Sequence, residues 1–393
     1  MSIAPARPQV SDEEAMILDV VRELVKERVE PRAAEIDAKG EFPWDIKQLF
    51  AENDLLGIPF PAEYGGLGGS FVTYVKVVEE VSKACASSAL IIAVQELGAL
   101  PILIGGSDEQ KQRWIPDLAS GAKIAAYALT EPGSGSDAAG SMRTRARRDG
   151  DDYILDGSKI WITNGSVADV VTVFAVTDPA KGANGISAFV VGKGTPGFNV
   201  GKLEKKMGIR GSPTVELGFE NCRVPAANML GEEGVGFKIA MKVLDKSRPG
   251  IAAQALGIAQ GALDYATEYT KQRVAFGKPI SQQQGLQFML ADMKTEVESA
   301  RLLLYEAARK CDESAPDVTI WAAMAKLKCG DVAMSVTTDA VQLLGGYGYS
   351  TEYPVERMMR DAKITQIYEG TQQIQRIVIA RSMVGKWSPP PKN

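Results

Sequence analysis

Val170-Val-Thr-Val-Phe174 and, upstream of it, Tyr153-Ile-Leu-Asp156 interrupt a chain that is otherwise patterned for helices. Their β-branched and aromatic residues recur with a period of two, the spacing of a pleated strand. Asp149-Gly150, just ahead of Tyr153, supplies a hairpin turn. The same period holds between Ala126 and about Glu232, so residues 126–232 read as a β unit. Within it Arg143, Arg145 and Arg147 alternate with small residues, which describes a solvated strand face better than a nucleic-acid patch.

Helical periods return on both sides. Ser11 and Glu14 form a capping box, and Ile17, Val20, Val21, Leu24 and Val25 fall on one face until Glu30-Pro31 ends the run. Ser107 with Gln110 makes a second capping box ahead of Trp114 and Leu118, while Pro59, Pro61 and Gly65, Gly66, Gly68 and Gly69 mark a loop. Residues 1–125 are therefore an α-helical unit. Beyond Gly236, Val297, Ala300, Leu303, Leu304 and Ala307 keep helical spacing, and Asp317 to Leu344 contains no proline. Long antiparallel helices, a four-helix bundle, are the economical reading of residues 233–393. The fold class is α+β, and only the short Pro389–Pro391 tail is compositionally biased.

Composition narrows function. With 393 residues, 45% hydrophobic and 24% charged, the chain is ordinary globular protein with more than one packed unit. A net charge of −5 gives no global pull toward nucleic acid or an anionic membrane. The absence of histidine removes Ser/His/Asp and Cys/His triads and the usual zinc sites, leaving acid–base work to carboxylates, Lys, Tyr or Cys. Cys85, Cys222, Cys311 and Cys329 are scattered and read as buried thiols rather than disulfides or a metal cluster. No apolar run nears the 18 or so residues that span a bilayer, Ala89 to Val94 being the best. The N-terminal residues, with Pro5, Arg7, Pro8 and then Asp12, have neither a secretory nor a mitochondrial pattern, so a cytoplasmic location is expected.

Five segments carry chemistry. Tyr127-Ala-Leu-Thr-Glu-Pro-Gly-Ser-Gly-Ser-Asp137 is either a plain turn or a loop whose backbone approaches an oxygen-rich ligand, and it is neither a phosphate loop nor a Rossmann fingerprint. Trp161-Ile-Thr-Asn-Gly165 either packs its Trp into a sheet or presents it. Arg273-Val-Ala-Phe-Gly-Lys-Pro-Ile280 either grips a phosphate or turns a helix corner. Gln342-Leu-Leu-Gly-Gly-Tyr-Gly348 is a glycine-rich break with a helix C-cap as the alternative. Finally Glu369, in Tyr368-Glu-Gly-Thr371, opens a helix, where a carboxylate usually serves the dipole. Its apolar approach, Ile364-Thr-Gln-Ile-Tyr368, would raise its basicity enough to take a proton from a carbon acid.

Together these segments, with Tyr353–Arg376 around the last, resemble the acyl-CoA dehydrogenase family in order and spacing over nearly the whole chain, nearest to its short-chain, butyryl-CoA-type members. The resemblance implies helices, then a β domain, then a four-helix bundle. It implies FAD, with Tyr127, Leu129, Thr130, Gly135, Ser136, Trp161, Ile162 and Thr163 around the flavin. Arg273, Phe276, Gln284, Gln342, Gly345 and Gly346 would hold the pyrophosphate and adenosine across a subunit interface, with Thr371 and Gln373 as further contacts. Ser136, Asp245, Arg248, Tyr368 and Gly370 would meet the CoA ester, Gln254 and Thr365 would shorten the acyl pocket, and Glu369 would be the catalytic base. The position that carries the base in some members is Ser247 here, and no metal is implied. An acyl-CoA substrate, electron-transfer flavoprotein as acceptor and a homotetramer complete the expectation. The rivals are an oxygen-using flavoenzyme of this architecture and a non-catalytic relative that binds DNA. Ala89–Glu96, the acyl-pocket stretch of relatives, matches no subgroup.

Overall fold

The computed structural model describes residues 12–385. The Ser11 half of the first capping box and the proline tail lie outside them. Helix α1 (Asp12–Leu24) passes into a π turn (Val25–Val29) and a 3-10 turn (Glu30–Arg32) carrying Pro31, so the run stops where proline dictates. Its buried face differs from the sequence reading in one residue: Val20 is exposed, and Leu18 joins Val21, Val25 and Val29 instead. A spacing of three to four centred on Val21 produces that stripe.

Helices α2 (Ala33–Lys39), α3 (Trp44–Glu52), α4 (Phe71–Ala84), α5 (Ala86–Gly105) and α6 (Asp108–Ala119) follow. The capping box at α6 is complete: Gln110 N–H donates to Ser107 Oγ, and Gln110 Oε1 accepts from Ser107 N–H. Helix α5 corrects one expectation, because its 20 residues are long and apolar enough by length and composition to cross a membrane. Gln95 and Glu96 hid this from the sequence reading. The helix is a core element, buried on nearly every side. Gln95 is bonded throughout, donating to Leu118 O and Lys123 O and accepting from Ala125 N–H, which ties α5 to the start of the sheet.

The β unit is one eight-stranded sheet: β1 (Ala125–Ala128), β2 (Arg145–Asp149), β3 (Asp152–Thr163), β4 (Val170–Val176), β5 (Ile186–Gly192), β6 (Phe198–Leu203), β7 (Thr214–Pro225) and β8 (Met229–Leu230). Its order is β6-β7-β3-β2-β4-β5-β8, with β1 parallel to β4. The predicted hairpin forms, Asp149 pairing with Asp152 across Gly150 at φ +64°. Arg143, Arg145 and Arg147 are exposed, as a solvated strand face requires.

The chain returns to helix in α7 (Gly236–Gln272), crosses a small hairpin of β9 (Val274–Ala275) and β10 (Lys278–Pro279), and continues as α8 (Gln284–Asp312), α9 (Val318–Leu344), α10 (Pro354–Ile364) and α11 (Gln372–Val384). Helices from before and after the sheet share one core: Val78 of α4, Ile92 of α5, Leu256 of α7, Leu304 of α8 and Val336 of α9 belong to a single cluster. Strands β3, β4 and β7 build a separate core around Leu155, Val173 and Leu217. All four cysteines are buried and free.

Candidate active site

Glu369 lies in the short link between α10 and α11, whose first turn is capped by Thr371 Oγ1 accepting from Ile374 N–H at 3.3 Å. Glu369 has φ +52° and Gly370 φ +92°. A left-handed glutamate costs about 1–3 kcal/mol and persists only where its surroundings hold it. Gln375 Nε2 donates to both carbonyls of this turn, at 3.2 Å to Glu369 O and 2.9 Å to Gly370 O. Arg248 Nε reaches Glu369 O at 3.4 Å, and Lys326 Nζ donates to Gly370 O at 2.8 Å. With both carbonyls held, the Glu369 N–H has no hydrogen-bond partner among the described residues.

Helix α7 presents Ser247 to the carboxylate, its Oγ donating to Glu369 Oε2 at 2.6 Å. Burial raises the Glu369 pKa, opposed by the Ser247 bond and by the charges of Arg248 and Lys326. Arg248, 4% exposed, also pairs with Asp245 at 3.2 Å, and Asp245 accepts from Thr319 Oγ1 at 2.7 Å. Tyr127 stands within electrostatic reach: burial first, then the Glu369 charge, pushes its phenol up, and its hydroxyl has no partner. What converges here is a half-buried carboxylate, a free amide donor, and a cation that orders the turn.

Tyr127 leads into the loop carrying Leu129, Thr130, Gly135 and Ser136. A buried ion pair anchors that loop. Glu131 accepts from the N–H groups of Arg143 and Thr144 at 2.6 and 3.0 Å and from Lys159 Nζ at 2.8 Å. Burial lowers the Lys159 ammonium to about 8 against the pull of Glu131. Thr130 O accepts from Ile160 N–H at 2.9 Å, joining loop to strand. Between Lys159 and Ile162 the β3–β7 register slips, and this bulge turns Trp161 outward at φ +61° with 55% of its surface exposed. The packed-strand reading of Trp161 therefore fails. The Ile162 side chain is buried in the sheet core, leaving its backbone to the site, while Thr163 is half-buried beside it.

The remaining cofactor candidates assemble elsewhere. Arg273 follows the last residue of α7, about 38 Å along the helix from Ser247. Its guanidinium lies 5.4 Å from the Tyr347 ring, and with Gln342, Gly345 and Gly346 it lines a cavity of about 660 Å³. Phe276, at φ +53°, projects from the β9–β10 hairpin and is 94% exposed. Gln284 opens α8 on the surface. A side chain added at Gly345 or Gly346 would meet nothing, so the backbone there is open to close approach. Gln373 is exposed on the first turn of α11.

Gln254, fully buried on α7, donates to Ala86 O at 3.0 Å and accepts from the Tyr368 hydroxyl, so it links α7, α5 and the residue preceding Glu369. Thr365 is buried with its hydroxyl bonded to Ala362 O at 2.7 Å, within its own turn. Sequence reasoning missed Lys326, Gln375 and Glu96. Lys326 had a signal: it falls on the buried stripe of Ala322, Ala325, Cys329 and Val336, where a lysine is out of place.

Three family models match the chain: acyl-CoA dehydrogenase N-terminal domain over residues 11–122, middle domain over 126–222 and C-terminal domain over 234–384. The chain is 51% identical over 369 residues to a short-chain-specific acyl-CoA dehydrogenase of Clostridium acetobutylicum, covering 94% of this chain and 97% of that one. It superposes on butyryl-CoA dehydrogenase from Megasphaera elsdenii with TM-score 0.93 and 47% identity, covering 98% and 100% of the two chains. A glutaryl-CoA dehydrogenase from Mycobacterium smegmatis, solved in complex with FADH2, aligns with TM-score 0.89 and 35% identity over 96% of each chain. With all three domains matched in order and about half of its residues shared with such relatives, this chain belongs to the acyl-CoA dehydrogenase family of FAD-dependent oxidoreductases.

Proposed function

We propose that this protein dehydrogenates short-chain acyl-CoA thioesters to trans-2-enoyl-CoA, with Glu369 as the base that removes the α-proton. The observation that carries the reading is the Glu369 turn. A carboxylate of raised basicity keeps Oε1 free of protein hydrogen bonds, while its own N–H is left free beside it. A thioester α-carbon is a weak acid, and its carbonyl must be polarised as the proton leaves. The free N–H supplies that donor from the residue that supplies the base. Arg248 and Asp245 order the turn from α7, and Ser136 and Gly370 border the ester.

The residues present suit FAD. Exposed Trp161, Thr163 and the unpartnered Tyr127 hydroxyl offer a ring face and polar contacts. Arg273, Gln342 and the open backbones of Gly345 and Gly346 offer a cation and close approach for phosphates. When bound, FAD accepts the β-hydrogen as hydride at its N5. We read the second group as meeting a cofactor held by another copy, as the resemblance implies. A homo-oligomer, a tetramer by resemblance, and electron-transfer flavoprotein as acceptor belong to the same proposal.

Gln254 would set the chain length. Each methylene entering an apolar pocket gains about 0.8 kcal/mol, whereas leaving this buried amide unpaired costs about 1–3 kcal/mol. Acyl groups of four to six carbons are expected to react best. Anaerobic mixing of the yellow protein with acyl-CoAs from C4 to C16 tests the proposal: short chains should bleach the flavin. A protein that takes up no FAD, or an optimum at C10 or beyond, would overturn the cofactor or the chain-length reading respectively. Rapid reoxidation in air would mark an oxidase.

A further inference from the structure

Lys326 is 1% exposed on α9, and its Nζ has two partners, Gly370 O at 2.8 Å and Gln372 Oε1 at 3.2 Å. Gln372 is fixed in turn, its Nε2 donating to Leu327 O at 2.7 Å and Asp331 Oδ1 at 3.0 Å. The ammonium therefore sits in a built cradle, and its target is the carbonyl immediately after Glu369. That carbonyl, which Gln375 also holds, ends the left-handed pair of Glu369 and Gly370, and the Glu369 N–H at the start of the pair has no protein acceptor among the described residues.

We propose that Lys326 is a positioning residue for Glu369: from α9 it fixes the Gly370 carbonyl, and with it the direction of the Glu369 amide and carboxylate, while its charge keeps that carboxylate ionised. This rests on Glu369 being the base. Burial draws the Lys326 ammonium down to about 7, countered by the Glu369 charge. The neutral amine still donates to Gly370 O, so only the charge is lost at high pH.

The other groups around Glu369 do not share this behaviour. Arg248 on α7 stays cationic beside Asp245, and Asp331 on α9 lies on the far side of Gln372. Tyr74 on α4, Tyr127 on β1 and Tyr368 are all pushed up, chiefly by burial, and stay neutral. Glu96 on α5 is pushed well up, chiefly by burial and then by the Glu369 charge. A cation beside a carboxylate lowers its pKa, so removing the Lys326 charge raises that of Glu369 and moves the acidic limb of turnover to higher pH.

Two variants separate the roles. Lys326→Gln retains a donor without charge, and Lys326→Met removes both. FAD content and circular dichroism serve as fold controls. For Lys326→Gln, the acidic limb of kcat for flavin reduction should rise by about one pH unit, with turnover recovering near pH 9 and KM little changed. For Lys326→Met, kcat should fall at every pH, on the order of 10²-fold if the amide loses its aim. The pH dependence of binding of a non-oxidisable thioether analogue should shift with Lys326→Gln in the same direction, with no turnover involved. Unchanged pH profiles and an unchanged kcat in both variants, with Glu369→Gln inactive, would overturn the Lys326 role alone. An active Glu369→Gln would instead overturn the base on which it rests.

Discussion

The two ends of α7 behave as different kinds of surface. Around Ser247 and Arg248 the side chains of α7 are bonded: Ser247 to Glu369, Arg248 to Asp245 and Glu369 O, Asp245 to Thr319. Around Arg273 the side chains face outward, Phe276 is almost wholly exposed, and the glycines touch nothing. The first end is preorganised for chemistry within one chain, and a rigid base needs that. The second presents an aromatic and a cation to solvent. Exposing Phe276 to water is unfavourable by itself, and the second copy proposed above would cover it.

Breaking the closed end has the largest effect. Glu369→Gln preserves size and the Ser247 bond while removing the base, and turnover should fall by on the order of 10²–10⁴-fold with FAD retained. Stopped-flow flavin reduction measures it, and near-normal reduction would end the assignment. Glu131, a carboxylate in the loop that follows β1, is no control for this experiment. It forms the buried ion pair with Lys159, and breaking such a pair costs about 3–5 kcal/mol of fold stability.

Breaking the open end should act on the cofactor instead. Arg273→Ala removes a charged contact, and FAD affinity should weaken roughly 10- to 100-fold, with bound substrate still meeting an intact Glu369. Mixing the two variants sharpens the comparison. If the halves come from different copies, refolding Glu369→Gln with Arg273→Ala at equal amounts should restore about a quarter of the sites, because half of the pairs are mixed and each has one intact site. Activity that stays at the level of the separate variants would place both halves in one copy.

How much of this was legible depends on the kind of constraint. Periodicity exposed the sheet and the long helices because burial repeats along an element, and Ser107 with Gln110 announced α6 through a purely local bond. The Trp161 bulge was hidden, since a register slip is decided by β7, not by residues 159–162. Val20 and Leu18 exchanged places because one face of α1 is chosen by what packs on it. Lys326 stood out as a lysine on a buried stripe, but its partners were hidden for the same reason, lying 44 and 46 positions away. Glu369 was visible as a residue, through its apolar approach and family resemblance. Its left-handed turn was not, because tertiary contacts impose it.

A smaller effect is expected where the closed end meets Gln254, the proposed stop of the acyl pocket. Gln254→Gly removes the link between Ala86 O and Tyr368 and opens the space it filled. The optimum of kcat/KM should move toward longer chains, by no more than about tenfold for a pair of added methylenes. Comparing C4 with C8 in both proteins decides it. An unchanged ratio would make Gln254 a strut rather than a stop.

The smallest effect concerns a group that the closed end leaves unsatisfied. Glu96 is 2% exposed, and neither carboxylate oxygen has a hydrogen-bond partner. Burial, then the charge of Glu369, pushes its pKa well above the ordinary 4.5. Above about pH 4.5 the unfolded chain releases this proton and the folded chain keeps it, so folding binds a proton. Stability from this group is therefore full below that pH and declines as pH rises toward the folded pKa, by at most about 1.4 kcal/mol per unit. Glu96→Gln leaves an equally unpartnered amide but cannot ionise. Absolute stability is consequently a poor readout, and its slope with pH is a good one. Thermal midpoints of the two holoproteins should draw together, or cross in favour of Glu96→Gln, between pH 4.5 and 7.5. A constant gap across that range would mean that Glu96 finds a partner for its charge, and that the closed end is better satisfied than its contacts imply.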